Sequence, residues 1–226
     1  MGKEITLTAA DGHEFAAYEK TPSSGTVRGG LVVVQEIFGV NAHIRRVADG
    51  YADEGYRVIA PAIFDRAERG VELGYEGADR DRGIGLMRTL DRSHMLADIA
   101  AAVAALDGSG RIGIVGYCLG GTLAWLSAAR IPGLSAAVGY YGGGIAGLTG
   151  EAPKCPVMLH FGTEDPSIPM TDVAKIKAEV DPALVQVFVY EQAGHAFIRD
   201  GTPVFRAEAA RVARERSIAF LREHVG

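Results

Sequence analysis

Arg111-Ile-Gly-Ile-Val-Gly-Tyr-Cys-Leu-Gly-Gly-Thr-Leu-Ala-Trp125 decides the fold. Residues 111–117 are an apolar run of strand character and residues 119–130 have helical spacing, with Gly116-Tyr117-Cys118-Leu119-Gly120 at the junction. So abrupt a strand-to-helix turn holds its apex residue, Cys118, in a strained conformation. Side chains two positions to either side would clash there, which accounts for glycine at both 116 and 120. The thiol then stands at the head of the helix, where the dipole and free N–H groups favour a thiolate. The Leu119 N–H becomes a candidate oxyanion-hole donor.

Two other readings compete. An inert buried thiol is the commonest fate of a cysteine, but packing leaves the flanking glycines unexplained. A dinucleotide-binding turn is disfavoured because the G-x-G-x-x-G order is absent, and the next strand, 134–141, ends without an acidic residue for a ribose.

Outward from this turn, short apolar runs alternate with segments of helical period. Strands are expected at 5–9, 14–21, 30–35, 57–61, 111–117, 134–141, 156–161 and 185–190, the first two paired through Asp11-Gly12. Helices are expected at 42–54, 91–107, 119–130, 171–180 and 203–223. The fold class is therefore α/β: one domain over residues 1–226, with a mostly parallel eight-stranded sheet flanked by helices and no separate cap domain. The stretch 64–90, a run of Arg, Asp, Glu and Gly, reads either as a solvated excursion or as a loop covering a ligand site.

A nucleophile on such a turn needs a base and an acid beyond later strands, and both occur in order. Gly162-Thr163-Glu164-Asp165-Pro166 follows one strand and Glu191-Gln192-Ala193-Gly194-His195 the next. Asp165, fixed before a proline, is preferred to Glu164 as the partner that sets the His195 tautomer. Glu36, at the end of the run 31–35, is delivered to the same sheet edge. It is either a solvated strand-end charge or a carboxylate facing the thiol, able to hold or take its proton. The Ile37 N–H is the natural second oxyanion donor. His13, His43, His94 and His224 read as surface residues and His160 as a strand residue, all structural. No paired-His or C-x-x-C pattern suggests a metal.

The 226 residues carry 28 acidic against 23 basic side chains, a net charge of −5, so no positive field gathers nucleic acid or membrane. Two cysteines exclude a disulfide framework. The N-terminus lacks the apolar core of a signal peptide and no window approaches a membrane span, so a cytoplasmic protein is expected.

Gln35-Glu36-Ile37-Phe38-Gly39-Val40-Asn41, Gly116-Tyr117-Cys118-Leu119-Gly120-Gly121, Val138-Gly139-Tyr140-Tyr141-Gly142 and Ala193-Gly194-His195-Ala196-Phe197 resemble the dienelactone hydrolase (carboxymethylenebutenolidase) family, from Gly30 to the end of the chain. The resemblance implies an α/β-hydrolase fold and a triad of Cys118, His195 and Asp165. It also implies Glu36 cooperating with the thiol, and an oxyanion hole of Ile37 and Leu119. The implied substrate is a small anionic lactone or ester, a dienelactone opened to maleylacetate. Separately, no cofactor and a monomeric protein are expected. Arg199 and Arg80, or Arg82 in its place, would bind the substrate carboxylate, with Phe38 and Tyr141 lining the site. Ala196 departs from the serine of the family's best-known members, and 64–90 matches poorly. Both departures concern recognition, which leaves a broader thiol esterase as the alternative. A catalytically silent ligand-binding fold is the reading from a different class.

Overall fold

The computed structural model describes every residue except Met1 and Ser24. Gly29–Val34 (β3) is buried along its whole length, as is Val157–Gly162 (β7), and Ile112–Tyr117 (β5) is buried from Gly113 onward. Side chains buried whichever way they point mean a sheet covered on both faces, so these runs are apolar throughout instead of alternating. Lys3–Thr8 (β1), Glu14–Lys20 (β2), Tyr56–Pro61 (β4), Leu134–Tyr140 (β6) and Val185–Tyr190 (β8) complete one sheet, ordered β1-β2-β4-β3-β5-β6-β7-β8.

The expected mostly parallel sheet is corrected to a mixed one. β2 runs against both β1 and β4, whereas the pairings from β4 to β8 are parallel. The Asp11-Gly12 turn, with Gly12 at φ +85°, is too short for a parallel crossover and so reverses β2 against β1; the further departure is the antiparallel pairing of β2 with β4. β2 accordingly alternates, burying Phe15 and Ala17.

Six α-helices surround the sheet: Ala42–Asp53 (α1), Gly77–Thr89 (α2), Arg92–Ala105 (α3), Leu119–Arg130 (α4), Met170–Glu179 (α5) and Ala207–His224 (α6). α1 is opened by Asn41, whose Oδ1 accepts from the Ile44 N–H at 3.3 Å, and α3 by Asp91, which accepts from Ser93. α6 begins at 207, not 203, because Thr202–Phe205 closes a turn and the Arg206 N–H is drawn to the Phe197 carbonyl. None of the described helices is long and apolar enough to cross a membrane.

The stretch 64–90 is more regular than its sequence suggests, with a 3₁₀ turn at Ile63–Arg66 followed later by α2. Three glycines, 77, 83 and 85, lower the helix signal. Gly83 has a structural reason, since a Cβ there would lie 2.2 Å from the Ile37 carbonyl oxygen. Its lack of a side chain lets α2 lie directly on the Ile37 turn. Phe38, Phe64, Val71 and Leu73 form a small second core, against which Ile37, Tyr75, Met87 and Leu119 pack. The excursion thus packs onto the Ile37 turn at the carboxyl end of β3.

Candidate active site

Cys118 sits between β5 and α4 at φ +55° and ψ −113°, outside the favourable regions for an L residue. Close backbone packing holds it there. A Cβ on Gly116 would lie 1.9 Å from the Gly120 carbonyl oxygen, and one on Gly120 would lie 2.3 Å from that of Val34. The Cys118 N–H donates to the Tyr140 carbonyl at 3.0 Å and the Gly120 N–H to that of Gln35 at 3.1 Å, joining the elbow to the ends of β6 and β3.

The Gln35 side chain fixes the next turn. Its Nε2 donates to the Glu36 carbonyl and its Oε1 accepts from the Ile63 N–H, each at 3.1 Å. Ile37 and Leu119 therefore pack against the same small core, and neither backbone N–H donates to an acceptor among the described residues. Unpaired amides are what an oxyanion requires, and that of Leu119 directly follows the thiol in sequence.

Asp165 follows β7 and His195 follows β8, and their side chains meet at 2.7 Å, Nδ1 to Oδ2. An ionised carboxylate only accepts, so Nδ1 carries the proton and Nε2 is left to act. Asp165 is buried, and its Oδ1 accepts from the Ser167 N–H at 2.8 Å. Glu164 is exposed, its backbone N–H donating to the Ala193 carbonyl. Burial lowers the basicity of His195, but hydrogen bonds and negative charge from Asp165 and Cys118 outweigh it and lift the imidazole to about 10. Tyr141, at φ +40°, lays its ring 4.9 Å from that of His195, and its buried hydroxyl has no partner.

Glu36 and Arg199 meet each other. Both are buried, and Arg199 Nη2 donates to Glu36 Oε1 at 2.8 Å, leaving Glu36 Oε2 and Arg199 Nε without partners. The solvated strand-end reading of Glu36 is corrected by this burial: the carboxylate lies inside the protein, paired with Arg199. The two residues are 163 positions apart, a separation at which no local pattern announces a contact. Phe38 lies with its ring centroid 5.2 Å from the Arg199 guanidinium carbon. Arg80 and Arg82 are exposed on α2, Arg82 in an ion pair with Glu68. His43, expected at the surface, is buried, with Nδ1 3.5 Å from Asp200 Oδ1 and no hydrogen bond at Nε2. Tyr75 was not foreseen: its ring stacks 3.9 Å from the Arg199 guanidinium carbon, and no periodicity in the surrounding sequence marks it.

A parallel run of strands feeding a strained Cys elbow, followed in order by Asp and His at one sheet edge, defines an α/β-hydrolase. The chain belongs to the dienelactone hydrolase family, whose profile matches residues 15–225, and it is a carboxylic ester hydrolase. It is 34% identical over 225 residues to carboxymethylenebutenolidase of Pseudomonas putida, covering 96% of this chain and 94% of that one. The carboxymethylenebutenolidase of Pseudomonas knackmussii matches equally. A crystal structure assigned to the dienelactone hydrolases, from Klebsiella pneumoniae, superposes with a TM-score of 0.81 at 29% identity, covering 98% of this chain and all of the other.

Proposed function

We propose that this protein opens a small anionic lactone of the dienelactone type to maleylacetate through a thioester on Cys118. The observation that carries the proposal is the strained elbow of Cys118 beside a His195–Asp165 pair held at 2.7 Å. The Cys118 sulfur attacks the lactone carbonyl, and the Ile37 and Leu119 N–H groups receive the oxyanion. Collapse breaks the ring C–O bond, and the enol oxygen leaves with a proton from His195. Neutral His195 then takes a proton from water as its oxygen attacks the thioester, which returns the sulfur. Asp165 keeps His195 in one tautomer throughout.

The Glu36–Arg199 pair supports an anionic substrate. A substrate carboxylate that takes Arg199 leaves Glu36 buried and unpaired near the thiol, whose proton it can then hold or accept. Arg80, with Arg82 as the alternative, would supply a second cation from α2. Activity on cis- and trans-dienelactone far above that on nitrophenyl acetate is the expected result. Iodoacetamide should inactivate the enzyme, and Cys118→Ala should lose both turnover and labelling at this position; retained lactonase activity in that variant defeats the scheme.

Ala196 favours a second reading, a broader thiol esterase or lactonase. At φ +60° and buried, it offers the substrate no hydroxyl. Equal rates on aryl esters and dienelactone would select it.

A further inference from the structure

Arg199 has five N–H donors, yet among the described residues it makes a single side-chain hydrogen bond, to Glu36. Its position must therefore be fixed by something other than saturated hydrogen bonding. Tyr75 lies over the guanidinium at 3.9 Å, close for a cation on an aromatic face, and Phe38 lies at 5.2 Å. The two rings meet edge to face with centroids 4.9 Å apart. Tyr75 is itself tethered, because Asn41 Nδ2 donates to its hydroxyl at 3.2 Å and to the Leu73 carbonyl at 3.2 Å. Asn41 is also the residue that caps α1. A chain of contacts thus runs from the head of α1 through Tyr75 to Arg199 and Glu36.

On its outer side, Arg199 borders a cavity of about 560 Å³, with Tyr75, Glu76, Thr202 and Pro203 in its walls. Arg199 is the one cation among its lining residues, and beyond it lies the buried Glu36. An anionic ligand in this cavity meets the guanidinium with Tyr75 already across its face.

We propose that Tyr75 is a positioning residue that sets the enzyme's preference for carboxylate-bearing substrates by holding Arg199 between the outer cavity and Glu36. The proposal rests on the reading of Arg199 as the group that takes the substrate carboxylate. With the aromatic face removed, the guanidinium samples more orientations, and a carboxylate must order it on binding. The penalty falls on KM for anionic substrates.

The test compares phenyl acetate with 4-carboxyphenyl acetate, each variant being referred to wild type on the same ester so that leaving-group differences cancel. Tyr75→Leu is expected to lower the anionic-to-neutral ratio of kcat/KM about tenfold, through KM, while Tyr75→Phe, which keeps the ring and loses only the tether from Asn41, should lower it by a much smaller factor. Asn41→Ser retains a capping oxygen but removes the amide that tethers Tyr75, and should lower the ratio in the same direction by a smaller factor. Thermal unfolding of each variant checks that it is folded. An unchanged ratio in Tyr75→Leu, or equal losses with Leu and Phe, overturns the role of Tyr75. Arg199→Gln separates the two levels: if it leaves the ratio at the wild-type value, the reading of Arg199 fails and the role of Tyr75 with it.

Discussion

Gly116 and Gly120 tie the chemistry to the backbone, because a single methyl group at either would occupy the space of a carbonyl oxygen. Gly116→Ala is expected to destabilise the protein by about 3 kcal/mol or more, through strain at a position that cannot relax. Gly147→Ala, where a Cβ meets nothing within 4 Å, is the control, and urea midpoints compare the two. His160 carries a different consequence. It is fully buried, bonded to Tyr190 at 2.8 Å and Ser217 at 3.0 Å, and burial, with the charge of Arg216, pushes its imidazole down to about 3. The unfolded chain therefore binds a proton near pH 6.5 that the folded protein refuses until about 3. Stability should fall between those limits as the pH drops, by about 1.4 kcal/mol per pH unit from this group. His160→Gln should flatten that acid limb in denaturation measured at pH 4.5, 5.5 and 7. His195 has the opposite sign: raised to about 10, its contribution is fully present below pH 6.5 and is lost as the pH climbs through 10. Cys155, by contrast, is buried and its thiol is pushed up to about 11 by desolvation, consistent with a structural residue.

At the scale of elements, α2 separates what pattern conveys from what only packing decides. Its composition, three glycines amid Asp and Arg, gives little helical signal, yet Gly83 is the residue that permits its contact with the Ile37 turn. Gly83→Ala should gain up to about 1 kcal/mol of helix propensity in isolation. In the folded protein the added methyl would press on the Ile37 carbonyl, so the expected outcome is lower kcat with no gain in melting temperature. The elbow, the order of acid and histidine, and the strand runs were all legible because each is a local pattern repeated by the topology. The antiparallel course of β2 was legible only in its hairpin, since its second partner, β4, follows some forty residues later. The Glu36–Arg199 pairing was not legible at all. Both residues were placed at the site by position and motif, but which charge meets which is settled by side-chain geometry.

Across the whole molecule, a net charge of −5 coexists with a cation held inside the site, so global charge says little about the substrate. The excursion over residues 64–90 is anchored to the rest of the fold through Arg66. Arg66, at the end of the 3₁₀ turn, donates to Asp98 on α3 at 2.7 and 2.8 Å and to Asp11 in the first hairpin at 2.8 and 3.1 Å. Asp98 is fully buried. Arg66→Leu is expected to cost about 3 kcal/mol by leaving that carboxylate uncompensated, and Arg66→Leu with Asp98→Leu should recover much of the loss in calorimetry.

The covalent step links these scales, because it requires the strained elbow, the histidine pair and the oxyanion donors together. Acid quenching during turnover of an aryl acetate, followed by peptide mass spectrometry, reads it directly. The expected result is an acetyl adduct on the peptide carrying Cys118 and none on that carrying Cys155. Steady turnover with the adduct on another residue, or with no adduct on Cys118 at any quench time, would contradict the assignment of Cys118 as the nucleophile.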